Sequence, residues 1–247
     1  MSQKALAAHS FLDTSPSPTP LFLTPNALHS LAQKLRPTCF VPVYEEVYAL
    51  FPVTLNHEHY CLLFLKHSVL LLQMSVPECV SFILEVHHSL ELVRYIKAMR
   101  IFFKKNMYKV PVAITTYALL PLESPKNHSA YWINPAQISA ISETSTSTTL
   151  RLANHLRVAS PIRKRSLKKR ILLAFQCHYV IFQEFHPPET SQASPPVFEL
   201  LSNTQFSRRF AQKAKNLQPR YTRGRFSHIY HQVIYHEGYR AKMEKFS

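Results

Sequence analysis

Two groups of lysine and arginine are the residues of this chain best suited to chemistry. The first group is Arg94, Lys97, Arg100, Lys104 and Lys105, and the second is Arg163, Lys164, Arg165, Lys168, Lys169 and Arg170. Guanidinium and ammonium groups bind phosphate through charge-assisted hydrogen bonds, and they displace counterions from a nucleic-acid backbone. The spacing of the first four members predicts that they share one face of a helix. Both groups are therefore candidate DNA-binding residues.

The charge balance of the whole chain favours a polyanionic partner. The 247 residues contain 29 Lys and Arg against 14 Asp and Glu, a net charge of +15. The formal side-chain charges of residues 1–91 sum to −3, and those of residues 92–247 sum to +18. Such segregation is typical of nucleic-acid-binding proteins. A solubilising basic surface and, less favoured, binding to an anionic membrane surface are the alternatives.

The composition argues against several kinds of site. The only glycines are Gly224 and Gly238, so the glycine-rich phosphate-binding loops cannot be formed. Asp13 is the only aspartate, which makes a multi-carboxylate metal centre improbable. The four cysteines, none in CxxC spacing, are Cys39, Cys61, Cys79 and Cys177. We therefore expect no metal, no cofactor and no enzymatic activity, with the cysteines acting as small buried apolar residues.

Membrane and export signals are not evident in the sequence. The most apolar run, residues 60–74, is interrupted at Lys66 and falls short of the length that a bilayer requires. The first residues lack the apolar segment of a signal peptide. We expect a cytoplasmic protein that associates with the nucleoid.

The pattern of residue types predicts three parts. Residues 1–41 are rich in Ser, Thr and Pro and are predicted to be a flexible leader with a short helix over 26–35. Residues 42–186 are predicted to be the folded DNA-binding core. Residues 187–247 are predicted to be a linker followed by a basic C-terminal extension, in which arginines alternate with aromatic residues such as Tyr221 and Phe226.

The core is predicted to be α+β, an antiparallel β-rich core with a central helix and a C-terminal helix. Segments rich in β-branched and aromatic residues flank polar turns at 56–58 and 154–155, which indicates hairpins whose turn types stay open. Apolar residues recur every three or four positions after Pro77, with no Gly or Pro between 78 and 110, which predicts one central helix. Pro161 is placed at the start of a helix that runs to Phe185.

The middle of the chain resembles the ComK family, the competence transcription factors of Gram-positive bacteria. The resemblance covers about residues 42–186. It is carried by the order of YALFPV at 48–53, Val76-Pro77 before a helix, KVPVAI at 109–114 with Trp132-Ile133, and the hairpin and proline at 149–161. The glycine-rich central motif of the family has no counterpart here.

The resemblance implies a transcriptional activator of DNA-uptake genes that contacts AT-rich double-stranded DNA, in the minor groove. It also implies a homo-oligomer and control by a proteolytic adaptor. The residues themselves leave open a ribosome- or RNA-associated basic protein without enzymatic activity, in which Tyr221 and Phe226 stack on bases. The DNA-binding hypothesis requires both cationic groups to lie on a common exterior surface.

Overall fold

The computed structural model describes residues 22–123, 130–145, 147–186, 204–216 and 222–243. Within these ranges the chain forms helices together with mixed, mostly antiparallel sheets, which confirms the predicted α+β class.

The elements are numbered in chain order. The strands are β1 (Phe22–Leu23), β2 (Pro37–Thr38), β3 (Val47–Leu55), β4 (Glu58–Leu65), β5 (Val69–Leu72), β6 (Val112–Ala113), β7 (Ala118–Pro121), β8 (Trp132–Ile133), β9 (Ile138–Glu143), β10 (Thr148–Leu152) and β11 (Arg157–Ser160). The helices are α1 (Pro25–Ala32), α2 (Val76–His88), α3 (Leu92–Phe103), α4 (Lys164–Phe185), α5 (Gln205–Asn216) and α6 (Arg225–Met243), with a 3-10 turn at Pro135–Gln137.

The strands form two sheets. A seven-stranded sheet has the order β2-β5-β4-β3-β8-β7-β6, and a four-stranded sheet has the order β1-β11-β10-β9. Neighbouring strands are antiparallel, except that β1 runs parallel to β11 and β2 parallel to β5. The pairing of β8 with β3 brings the Trp132 strand into the centre of the larger sheet.

The larger sheet is buried on both faces. Successive side chains of a strand point to opposite faces, and in β4 Leu63 belongs to one apolar cluster whereas Leu62 and Phe64 belong to another. The first cluster includes residues of α2, α3 and α6, and the second includes residues of α1, α5 and the four-stranded sheet. Helix α4 contributes to both, through Leu167 to the second and Val180 to the first.

The β3–β4 hairpin turns without glycine. Asn56 and His57 both have positive φ, 50° and 69°. A two-residue turn with both central residues in this region matches the right-handed twist of the strands, and asparagine tolerates the conformation better than most residues. The structure thus identifies the turn type that the sequence left open.

The prediction of one central helix is wrong, because the chain forms α2 and α3 with a break between them. Ser89 ends α2 in the left-handed conformation, with φ of 53°, and its N–H donates to the carbonyl of Glu85 at 2.7 Å. Leu90 then enters the core. The apolar periodicity continues across the break because both helices pack on the same cluster.

The folded part begins before the predicted boundary at residue 42. Residues 22–41 contribute β1, α1 and β2, and Leu28 and Ala32 of α1 are fully buried. Thr24 caps the helix by accepting the N–H of Ala27 at 3.2 Å, with proline in the first turn. The predicted helix is therefore confirmed over 25–32, whereas the leader over 1–21 lies outside the described residues.

The C-terminal extension also belongs to the fold where the structure describes it. Helix α5 buries Ala211 and Ala214, and α6 buries Phe226, which is 0% exposed. Phe226 therefore cannot stack on a base, and Tyr221 lies outside the described residues, as does the predicted linker. The packing of these two helices was not predicted, because their polar residues outnumber the few apolar residues that they bury.

Candidate nucleic-acid interface

The second cationic group occupies the first turns of α4. The helix begins at Lys164, two residues after the predicted start, and its N-cap Arg163 makes no capping bond. The N–H of Lys164 instead donates to Oε1 of Glu143, at the end of β9, at 2.9 Å. A pocket of about 680 Å³, lined by Glu143, Arg163, Arg165 and several hydroxyl side chains, lies at this end of the helix.

Most cations of this group reach solvent. The exposed members are Arg163, Arg165, Lys168 and Lys169. No carboxylate within the described ranges lies at ion-pair distance from any of the four. Lys164 is half-buried. The first turns of α4 therefore present four positive charges that the described carboxylates do not neutralise.

Arg170 does not belong to this exposed set. It is half-buried, and its Nη1 is buried without a hydrogen-bond partner in the described part of the chain. Burial lowers its pKa. Burial, and then the charge of Arg170, also lower the pKa of Lys109, which donates to the carbonyl of Leu122 at 2.7 Å. The prediction that Arg170 contacts phosphate is therefore not supported by its position.

Two members of the first cationic group, Arg94 and Lys97, form ion pairs with carboxylates. Arg94 Nε donates to Oε2 of Glu237 at 2.9 Å, and Arg94 Nη1 lies 2.9 Å from a carboxylate oxygen of Glu91. Lys97 pairs with the other oxygen of Glu237. The hydrogen bonds that Glu237 accepts, first from Lys97 and second from Arg94, lower the pKa of its carboxyl group. The hydrogen bond to Glu237 also raises the pKa of Arg94. Arg94 and Lys97 are thus paired with carboxylates in this structure, and their contact with phosphate stays a prediction.

The remaining members of the first group surround the end of α3. Arg100 donates from Nε to the carbonyl of Met107 at 2.7 Å, which holds the following loop. Lys104 is the C-cap of the helix in the left-handed conformation, with φ of 51°, and Lys105 follows it; both are exposed. Of the four residues predicted to share one helical face, Arg94, Lys97 and Arg100 lie within α3, whereas Lys104 is its C-cap.

The two groups lie on elements that pack into different apolar clusters. Arg94 and Lys97 pair with α6, which packs with α3 in the first apolar cluster. The first half of α4 packs into the second cluster through Leu167 and Ile171. Burial, and then the charge of Arg170 in the second group, lower the pKa of Lys109, which follows the first group in the chain.

Helix α5 adds cations that the sequence analysis did not assign to the site. It packs on α4, and its Ala211 and Ala214 share the second cluster with Leu167. Arg209 and Lys213, on the opposite side of α5, are exposed. The sequence of α5 has a basic amphipathic pattern that could have identified these cations. Because the helix lies in the predicted C-terminal extension, its packing against α4 could not be predicted from the sequence.

The other reactive side chains are mostly structural. Cys61, Cys79 and Cys177 are buried as predicted, whereas Cys39 is exposed. The histidines, cysteines and acidic residues of the described ranges form no group of three that could hold a metal ion. Burial lowers the pKa of His178 to about 4, although its Nε2 lies 3.2 Å from the carbonyl of Thr115.

Among the described helices, none combines the length and apolar character needed to cross a bilayer. Comparison of the chain with protein-family models, with curated proteins and with solved structures found no match.

Proposed function

We propose that this chain binds double-stranded DNA as a non-enzymatic regulator, through the exposed cations of α4 and α5. The observation that carries the proposal is an exposed group that forms no ion pair with a described carboxylate, namely Arg163, Arg165, Lys168 and Lys169. Arg209 and Lys213 of the adjacent helix extend this cationic surface.

Electrostatics favours an anionic partner at this position. The N-terminus of a helix carries partial positive charge, so cations in the first turns are unfavourable without a compensating anion. Glu143 accepts one backbone N–H there but forms no ion pair with the exposed cations. The helical rise from Arg163 to Lys169 is about 9 Å. A DNA duplex carries about five phosphate charges over that length, which matches the density of the cations.

A finer proposal follows from the ComK resemblance. The chain would activate DNA-uptake genes as a homo-oligomer on nucleoid DNA in the cytoplasm, under the control of a proteolytic adaptor. Arginine and lysine side chains that enter a narrow minor groove distinguish AT-rich DNA without a dedicated recognition helix. The exposed Arg163 and Arg165 are the side chains assigned to that contact.

The test uses fluorescence anisotropy with an AT-rich duplex and the full chain. The variant R165A/K168A/K169A is compared with K34A/R36A/K66A, which removes three exposed cations elsewhere and has the same net charge. We expect the α4 variant to lose about tenfold or more in affinity and the control to lose little, because affinity depends on local phosphate contacts. A minor-groove-binding small molecule should compete with the unmodified chain.

Three outcomes count against the proposal. Equal losses in the two variants would show that net charge alone drives binding. Tighter binding to structured RNA than to the duplex would favour the ribosome- or RNA-associated alternative. Absence of competition by the small molecule would remove the minor-groove assignment while leaving DNA binding in place.

A further inference from the structure

The outer face of the four-stranded sheet carries an unusual row of side chains. Phe22 of β1 lies opposite Arg157 of β11, Arg157 lies opposite Arg151 of β10, and Arg151 lies opposite Ala140 of β9. All four are exposed. One aromatic ring and two guanidinium groups therefore stand side by side across neighbouring strands, about 5 Å apart in strand spacing.

The two arginines are unfavourable neighbours in the absence of a ligand. Like charges directly opposite each other on antiparallel strands repel and destabilise the pairing. Arg151 Nη2 lies 3.2 Å from Nδ1 of His155, and no described carboxylate pairs with either arginine. An anion bound between Arg151 and Arg157 would relieve this repulsion.

The rest of the face leaves room for an extended ligand. The next outward row consists of Ala159, Thr149 and Ser142, all small residues. Phe22 is 42% exposed, which is high for a phenylalanine in a strand. An anionic polymer that lies flat on this sheet face can place its negative charges against the arginines and its planar groups against the ring of Phe22.

We infer that this face binds single-stranded DNA. Bases stack on an aromatic ring and on guanidinium planes, while the same guanidinium groups contact the phosphates. The assignment is to DNA because stacking and phosphate contacts, the two kinds that this row provides, do not require the 2′-hydroxyl that distinguishes RNA.

The face lies on the side of the sheet away from Leu167 of α4, although Arg163 and Arg165 line a pocket with residues at the ends of β9, β10 and β11. The inward side chains of the same strands, such as Leu150 and Val158, share the second apolar cluster with Leu167 of α4. The sheet therefore lies between its outer face and the helix. The inference does not rest on the proposed function, and the two can fail separately.

The experiment measures binding of the full chain to fluorescein-labelled oligo-dT and to the AT-rich duplex. R151A/R157A removes two like charges that repel each other, so it should fold at least as well as the unmodified chain. F22L keeps an apolar side chain in β1 but removes the ring. We expect R151A/R157A to lose about tenfold or more in oligo-dT affinity and F22L about fivefold, with duplex affinity nearly unchanged. R165A/K168A/K169A should show the reverse pattern.

The inference is overturned by any of three results. The first is oligo-dT affinity that does not change in R151A/R157A and F22L while far-UV circular dichroism shows both to be folded. The second is a loss of oligo-dT affinity in R165A/K168A/K169A as large as its loss of duplex affinity. The third is tighter binding of oligo-U than of oligo-dT, which would make RNA the ligand of this face.

Discussion

The carboxylate of Glu237 accepts a hydrogen bond from Nε of Arg94, with 2.9 Å between the two atoms. These residues are separated by more than half of the chain, and the contact joins α6 to α3. The second carboxylate oxygen of Glu237 accepts a hydrogen bond from Nζ of Lys97. One acidic residue near the C-terminus therefore pairs with two cations that the sequence assigns to DNA.

The substitution Glu237→Gln tests the importance of this pairing. We expect duplex affinity at low salt to rise about two- to threefold, because Arg94 and Lys97 become available to the polyanion, and the gain to vanish at high salt. The control is Glu85→Gln, which changes net charge equally at an exposed site on α2. An equal gain in both variants would attribute the effect to net charge.

The salt dependence of duplex binding should separate the two cationic groups. Each lysine that contacts phosphate contributes about one unit to the slope of log affinity against log salt. We expect K168A/K169A to reduce that slope by about two, and R94A/K97A to leave it nearly unchanged. A reduced slope in R94A/K97A would instead show that the ion pairs with Glu237 open on binding.

His178 should make the stability of the fold depend on pH. Its pKa is lowered from 6.5 to about 4 by burial, so below pH 6.5 the unfolded chain takes up a proton that the folded chain does not. Stability should therefore fall as pH decreases from about 7 towards 4. The contribution of one such histidine between pH 7.5 and 5.0 is about 2 kcal/mol.

Urea unfolding at these two pH values measures the effect. His178→Gln keeps a polar side chain able to donate to the carbonyl of Thr115 but removes the titration. We expect the variant to lose less stability on acidification than the unmodified chain does. An identical pH dependence would show that His178 is not responsible.

Glu184 should hold the start of α6 on the core. Its carboxylate oxygens accept the N–H groups of Gly224 and Ser227, both at 3.1 Å, and the residue is buried. Hydrogen bonds to a charged acceptor at a helix N-terminus are stronger than neutral ones. We expect Glu184→Ala to lower the free energy of unfolding by about 2 kcal/mol.

Hydrogen exchange locates the effect of this substitution. The amides of α6 should exchange faster in the variant, whereas those of β3 and β4 change little under native conditions. Gln183→Ala, one residue earlier on the same helix, is the control. Uniform acceleration across all elements, without a local effect on α6, would contradict the capping role.

Local signals identified much of the secondary structure. The apolar, β-branched and aromatic runs of β3 and β4, the strand at Trp132-Ile133 and the turn at Asn154-His155 depend on residues close together in the chain. Their conformations follow from propensity and burial over a few positions. The exception is Ser89, where the helix ends although the apolar periodicity of the sequence continues. The spacing of apolar residues does not predict that a residue adopts the left-handed conformation.

The sequence by itself determined the α+β class, most element positions and the concentration of positive charge after residue 91. Only the tertiary structure decided which cations are available. Glu237 pairs with Arg94 and Lys97, Arg170 is half-buried, and α5 adds Arg209. The physical reason is that the effective charge of a side chain depends on its neighbours in space, and these neighbours come from elements far apart in the chain.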